Sequence, residues 1–130
     1  MASPGSRGQL GPYAEDIEWD TTEAFPDGRV YSGMPAFRAY AEEVLERWGE
    51  GEHRLEIQEI LVVNGNSIAV VNYWMLGRSQ SGVPIDARWV HVSEFREGKI
   101  SRVRNFTSLE AAVESLGDPS LTRIWSRTAE

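Results

Sequence analysis

The 130-residue sequence contains no cysteine. This absence excludes a disulfide framework, thiol catalysis and cysteine-ligated zinc or iron–sulfur centres, and it is compatible with a cytoplasmic protein. The only histidines are His53 and His91, and the scattered carboxylates show no ligand spacing, so no metal site is expected. A glycine-rich phosphate loop is also missing. The sequence therefore predicts a protein without a bound cofactor or metal.

Positive charge is scarce as well. The chain has 13 basic and 20 acidic residues, and its formal net charge is -7. This balance argues against nucleic acid or an anionic membrane as the main partner, because both require a basic surface. No apolar run reaches transmembrane length, and the N-terminus lacks the apolar core of a signal peptide. We therefore expect a cytoplasmic protein with no nucleic-acid or membrane partner.

Apolar residues make up 41% of the chain, enough for one globular domain with a substantial core. Residues 1–12 are rich in Gly, Pro and Ser and are predicted to form a flexible leader. Residues 13–117 carry the patterns of a folded domain. Residues 118–130 form a tail, which begins with a helical turn in this interpretation.

Two helices and several strands are predicted within the domain. The longer helix opens at Pro35 and closes before Gly49, because its apolar residues recur at the spacing of one buried stripe. The shorter helix starts from the capping box Thr107-x-x-Glu110 and stops at Gly117. Alternating apolar and polar residues indicate strands in the segments around them.

The strongest hairpin signal is Asn64-Gly65, between strands at 55–63 and 67–76. One face of this hairpin carries Asn72 and Trp74 and is expected to look into the fold. The opposite face is too apolar to be left in water, so we expect it to join two subunits of a homodimer. Its members are Glu56, Gln58, Ile60, Val62, Ala69, Val71, Tyr73 and Met75.

The chemically most informative stretch is 88–107, two strands joined by a tight turn. A two-residue turn would need positive φ at Glu97 as well as Gly98, so a three-residue loop is predicted. That register places His91 opposite Val103. One face then carries Trp89, His91, Ser93, Val103 and Asn105. A two-residue turn would put the histidine and the asparagine on opposite faces.

Three stretches carry a resemblance to a known family. They are Asp16-Ile17-Glu18-Trp19, the segment from Phe25 to Gly33, and the run from Glu97 to Phe106. Over about residues 13–117 the chain resembles the SnoaL-like family of the nuclear-transport-factor-2-like superfamily. The resemblance implies an α+β fold in which a strongly curved antiparallel sheet packs on helices and forms a cone with a central pocket. It also implies dimers built through the sheet. It specifies function poorly, since such cones host cyclases, isomerases, dehydratases, epoxide hydrolases and non-catalytic binders.

The resemblance points to specific positions. In the polyketide cyclases of this family, a histidine on the penultimate strand and an aspartate on the last strand face the substrate, and the aspartate is the base for ring closure. The histidine matches His91, whereas the aspartate position is Asn105, whose amide cannot accept a proton at neutral pH. The charged residues of limonene epoxide hydrolases, which share the cone, correspond to Asn72, Trp74 and Asn105. Epoxide hydrolysis is therefore not expected.

Family members normally carry two helices ahead of the first strand, and those helices close the cone. This chain offers only the Gly/Ser/Pro leader there. Either the sequence starts late, the pocket is more open, or another segment substitutes. The candidate substitute is the tail, in which Leu121, Ile124 and Trp125 would share one face of a short helix that covers the pocket.

The predicted function is cofactor-free acid–base chemistry on a small apolar carbonyl or polyketide-like molecule: a cyclisation, isomerisation or dehydration. His91 would move the proton, because an unperturbed imidazole titrates near neutrality, and Asn105 would act with it by holding oxygen. The expected substrate-binding residues are Trp19, Phe25, Asn72, Trp74 and Trp89. The alternatives are a non-catalytic module that binds a small hydrophobic ligand, with His91 donating a hydrogen bond, and a dimeric scaffold.

Overall fold

The computed structural model describes residues 12–48, 53–63, 67–78, 82, 84–117 and 119–127. The predicted leader, apart from Pro12, and the Asn64-Gly65 turn lie outside these residues. The elements in chain order are β1 (Tyr13–Asp20), β2 (Val30–Ser32), α1 (Met34–Trp48), β3 (His53–Val63), β4 (Ile68–Arg78), β5 (Pro84–Arg96), β6 (Lys99–Phe106), α2 (Leu109–Ser115) and β7 (Leu121–Ser126).

The strands form a single mixed sheet in the order β2-β1-β6-β5-β4-β3-β7. Neighbouring strands run antiparallel except β1 and β6, which are parallel. Register shifts interrupt several of these pairs, and such irregularities bend a sheet. The expected α+β architecture, a curved sheet packed on helices, is confirmed.

The two helices pack on opposite faces of the sheet. Phe37 of α1 is buried in a cluster with Ile17 and Val103. On the other side, Ala112 of α2 lies in a cluster with four buried residues, Val70, Val90, Val92 and Phe106. Burying side chains of this size stabilises the fold by about 1.5–3 kcal/mol each.

The cross-strand partners assign the remaining side chains to these two faces, because directly opposed residues point to the same side of a sheet. We call the first side the α1 face, and its central members are Trp19, Val71, Tyr73, Trp89, His91, Val103 and Asn105. The side covered by α2 is the α2 face.

The turn between β5 and β6 has two residues, so the predicted three-residue loop is wrong. Arg96 pairs with Lys99, and the loop residues Glu97 and Gly98 have φ values of 53° and 80°. A turn with two positive φ angles twists as the strands do. That match outweighs the local cost of left-handed backbone at a glutamate.

A β-bulge compensates for the shorter turn. Phe95 pairs with Ile100 but Glu94 pairs with Arg102, which leaves Ser101 as the extra residue. The Ser101 hydroxyl donates to the Glu94 carbonyl at 3.2 Å. As a result His91 lies opposite Asn105 instead of the predicted Val103, and both side chains stay on the α1 face. The expectation that a two-residue turn would separate the two was wrong because it omitted the bulge.

The faces of the β3–β4 hairpin are the reverse of the prediction. Val71 lies opposite His91, and Tyr73 lies opposite Trp89. The apolar side expected to join subunits therefore contributes to the α1 face, up to the irregularity in β3 between Ile57 and Glu59. No signal in the sequence fixes the offset between β4 and β5.

The tail also differs from the prediction. Leu121–Ser126 is not a helical turn but a strand, β7, which pairs antiparallel with β3. Ile124 is 60% exposed and Trp125 is 43% exposed, so these side chains do not close over the centre of the sheet. The open backbone edge of β3 offers hydrogen bonds that an isolated short helix could not match.

Candidate functional site

His91 occupies the middle of the sheet. On β5 it lies between Asn105 of β6 and Val71 of β4. Its imidazole contacts Trp19 edge-on, with ring centroids 5.3 Å apart, and Tyr73 at 4.7 Å. Among the described residues, no ion pair includes His91. The histidine is therefore surrounded by aromatic rings and an amide, without an acidic partner in this part of the chain.

Burial lowers the pKa of His91 from 6.5 to about 4, because the apolar surroundings disfavour the charged imidazolium. At neutral pH the ring is therefore uncharged, with one nitrogen that donates a hydrogen bond and one that accepts. This differs from the near-neutral titration on which the sequence-based role was argued. His91 is available as a base over a wide pH range, although burial makes it a weak one.

Further aromatic side chains lie on the α1 face or contact it. Trp19 lies opposite Val103 and stacks on Phe37 of α1, with centroids 5.1 Å apart and planes at 26°. Trp89 contacts Phe25 of the β1–β2 loop at 5.2 Å. The structure thus brings five predicted site residues to the α1 face or into contact with it: Trp19, Phe25, Trp89, His91 and Asn105.

Three polar atoms at this site are buried and have no hydrogen-bond partner within the described part of the chain. They are the Nε1 atoms of Trp19 and Trp89 and the Oδ1 atom of Asn105, a residue only 5% exposed. An unsatisfied buried donor or acceptor costs about 1–3 kcal/mol. A ligand that accepted two hydrogen bonds and donated one would complement these atoms.

Two predicted substrate-binding residues lie elsewhere. Asn72 and Trp74 are on the α2 face, opposite Val90 and Arg88. The Asn72 amide donates to Glu59 Oε1 at 3.4 Å, and Trp74 Nε1 donates to Asp86 Oδ1 at 2.6 Å. The expected position of both residues on the inner face was wrong, because the faces of the β3–β4 hairpin are reversed.

Tyr73 is the site residue that sequence reasoning missed. It was expected in the subunit contact, yet its ring packs against His91. The neighbouring aromatic residue, Trp74, gave an equally good signal for the inner face. Only the offset between β4 and β5 distinguishes the two.

A separate groove of about 460 Å³ lies between β2 and α1, where Tyr31, Tyr40 and three glutamates line it. His91 does not line this groove. Among the described residues, no three His, Asp or Glu side chains are placed to hold a metal ion. No helix in that part of the chain is long and apolar enough to span a membrane.

Comparison with known proteins places this geometry in context. A family model described as a SnoaL-like domain matches residues 10–103. No functionally curated protein matches the chain.

Similar solved structures include a candidate SnoaL-like polyketide cyclase from Jannaschia sp. CCS1, at 17% identity and TM-score 0.66, covering 92% of this chain and 83% of that one. A candidate isomerase from Bacillus subtilis has 15% identity, TM-score 0.66, and coverage of 89% and 84%. TerC, co-crystallised with polyporic acid, has 23% identity, TM-score 0.65, and coverage of 83% and 82%. At these identities the likeness establishes the fold alone.

Proposed function

Because this chain belongs to the SnoaL-like domain family, we propose that its α1 face binds a small, mostly apolar carbonyl or polyketide-like molecule. His91 moves a proton of this molecule in a cofactor-free isomerisation, cyclisation or dehydration. The observation that carries the proposal is the set of unpartnered buried atoms on Trp19, Trp89 and Asn105 around a neutral imidazole.

Binding follows from the aromatic rings and the unpartnered atoms together. The faces and edges of Trp19, Trp89 and Tyr73 offer contact area to a flat, apolar molecule. The two indole N–H groups donate to oxygen, and Asn105 Oδ1 accepts from a hydroxyl group. A hydrocarbon would leave all three atoms unsatisfied. The site therefore favours an oxygen-bearing ligand.

The proton chemistry needs only the histidine and the ligand. The free imidazole nitrogen takes a proton from the carbon next to a carbonyl group, which leaves an imidazolium and an enolate. The enolate oxygen accepts hydrogen bonds from the indole N–H groups, and the low dielectric of the site strengthens the attraction between the two charges. Return of the proton to another carbon of a conjugated enolate completes an isomerisation. In a ring closure the enolate carbon attacks a second carbonyl carbon, and the alkoxide that forms takes the proton back from the imidazolium.

Two of the similar solved structures carry names that match the proposed reaction types. A cyclase candidate and an isomerase candidate share the fold. Both reaction types can proceed through an enolate without a cofactor. The family's aspartate base corresponds to Asn105 here, so the proton acceptor in this chain is assigned to His91.

A second candidate function is non-catalytic binding at the same site. The specific observation that favours it is the amide at Asn105, which cannot hold a proton, beside a histidine whose pKa of about 4 makes it a weak base. In that case the ligand docks on the same rings and leaves unchanged.

Mass spectrometry of small molecules that co-purify with the protein tests both functions. We expect an oxygen-bearing apolar compound with the wild type, its loss in Trp89→Leu, and its retention in the exposed-edge control Trp125→Leu. Incubation of the compound with fresh protein in D₂O then separates the candidates. An enzyme incorporates deuterium or converts the compound, whereas a binding module returns it unaltered. Equal retention by both variants would contradict the proposed site.

A further inference from the structure

We infer that the Tyr73 hydroxyl is a third hydrogen-bond donor of the His91 site, and that the site selects uncharged ligands with a weakly acidic oxygen, namely enolisable ketones and phenols. The inference rests on the proposed function and narrows its substrate class. A permanently charged carboxylate or phosphate is excluded from that class.

Tyr73 is a neighbour of His91 on the α1 face. It lies opposite Trp89 on β4, two residues along from Val71, which is the residue opposite His91. Its ring contacts the imidazole with centroids 4.7 Å apart and planes at 59°. Phenol, imidazole and indole thus form one continuous patch. A ligand that lies against His91 comes within reach of Tyr73 as well.

The Tyr73 hydroxyl is an uncharged hydrogen-bond donor. Burial, and then the nearby Tyr13, raise the pKa of Tyr73, so the phenol keeps its proton at neutral pH. Burial likewise raises the pKa of Tyr13, whose ring contacts Trp19 at 6.5 Å. The hydroxyl of Tyr73 is therefore a donor of the same uncharged kind as the two indole N–H groups.

Three arginines of the central strands lie on the face of the sheet opposite His91. Arg88 lies opposite Trp74, Arg102 opposite Glu94 and Arg104 opposite Val92, which places these three arginines on the α2 face. Arg102 also approaches Glu94 at 3.4 Å. Because these arginines lie on the other side of the sheet, a negative charge on a ligand beside His91 would have to be stabilised by the uncharged Tyr73 hydroxyl and indole N–H donors. Moving a full anion from water into such a site has a large desolvation cost. A neutral ligand that becomes charged only during the reaction enters without this cost.

Three naphthalenes of similar size test the inference by equilibrium dialysis. They are 2-naphthol, which carries a weakly acidic oxygen, naphthalene, which carries none, and 2-naphthoate, which is a permanent anion. The wild type should bind 2-naphthol at least tenfold more tightly than either of the others. Tyr73→Phe should lose most of the preference over naphthalene and keep its affinity for naphthalene itself. Tyr31→Phe, the same change on β2, should bind all three compounds as the wild type does.

A second measurement uses the unsubstituted protein. With ¹³Cζ-labelled tyrosine, 2-naphthol should shift the Tyr73 signal and leave the Tyr31 signal in place. If 2-naphthol binds but neither the Tyr73 signal nor the Tyr73→Phe affinity changes, the inference fails and the proposed function stands. If the wild type prefers 2-naphthoate, the inference also fails. If it binds none of the three, the proposed function fails with it.

Discussion

At the scale of single residues, the proposed site centres on His91, which the fold keeps neutral. An aspartate at position 105 would raise the imidazole pKa through its charge, but the chain has an amide there. Burial among Trp19 and Tyr73 then acts alone, and it lowers the pKa of His91 to about 4. The charge state of the site at neutral pH is thus decided by two neighbouring positions, 91 and 105.

The lowered pKa of His91 predicts a pH-dependent stability. Unfolding restores a pKa near 6.5, so the unfolded chain binds more protons between pH 6.5 and about 4. The free energy of unfolding should therefore fall as the pH drops through this window, by up to about 3 kcal/mol. Urea unfolding at pH 7 and pH 4.5 should show a smaller loss for His91→Gln than for the wild type. Equal losses would contradict a buried neutral histidine.

Replacing the Asn105 amide with a carboxylate tests how the residue opposite His91 affects the histidine pKa. In Asn105→Asp a carboxylate would lie opposite His91, and an opposite charge at that distance favours the imidazolium. We expect the pKa of His91 to rise by one unit or more, as followed by NMR of the histidine rings. Asn72→Asp, the same change on the α2 face, should leave the His91 titration in place. A pKa that stayed near 4 in Asn105→Asp would show that the two side chains do not interact.

At the scale of elements, the β5–β6 hairpin sets the site through two features that cancel. Its turn is one residue shorter than predicted, and the bulge at Ser101 adds one residue back. Side-chain direction has a period of two, so the parity of His91 and Asn105 survives. The hairpin shows how a tight turn and a bulge together decide which residues share one face of the sheet.

The backbone of this turn predicts opposite effects for its two residues. Glu97 adopts a φ of 53°, which costs a glutamate about 1 kcal/mol and an asparagine less. Glu97→Asn should therefore stabilise the protein, with a rise in the unfolding midpoint. Gly98→Ala, at a φ of 80° with open space around the missing Cβ, should destabilise it by about 1 kcal/mol. A stabilising Gly98→Ala would contradict the positive φ.

Local patterns therefore predicted the helices and most strands, but not every pairing between strands. The buried stripe around Phe37 and the α2 capping region follow from short-range rules, and both helices are present, with Ser108 as the N-cap of α2 in place of the predicted Thr107. The offset of β4 against β5 follows from no local rule, so Asn72 and Tyr73 were assigned to the wrong faces. The edge pairing of β7 with β3 is also a tertiary contact. It was not predicted because the spacing of Leu121, Ile124 and Trp125 also fits one face of a helix.

At the scale of the whole molecule, the expected subunit contact and the proposed ligand site fall on the same face of the sheet, the α1 face. The side chains expected to join subunits, among them Val71 and Tyr73, lie on the face that carries His91. A homodimer built through that face would cover the site. The proposed site and a homodimer through this surface therefore exclude each other, and a homodimer compatible with the site must use another one.

Sedimentation at several protein concentrations, with and without 2-naphthol, tests whether subunits associate through the α1 face. We expect the ligand to leave the association state unchanged, because a subunit contact outside the α1 face would not compete with the ligand. Dissociation of a dimer on adding the ligand would place the subunit contact on the α1 face.

In the proposed reaction, His91 moves a proton of a ligand on the α1 face. The most direct measurement is the rate at which 2-tetralone exchanges its α-hydrogens for deuterium in D₂O, compared among the wild type, His91→Gln and the control His53→Gln. We expect exchange above the buffer rate in the wild type and in His53→Gln, with a plateau above about pH 5 because His91 has a pKa of about 4. We expect only the buffer rate in His91→Gln. Equal exchange by the wild type and His91→Gln would contradict the assignment of the proton transfer to His91.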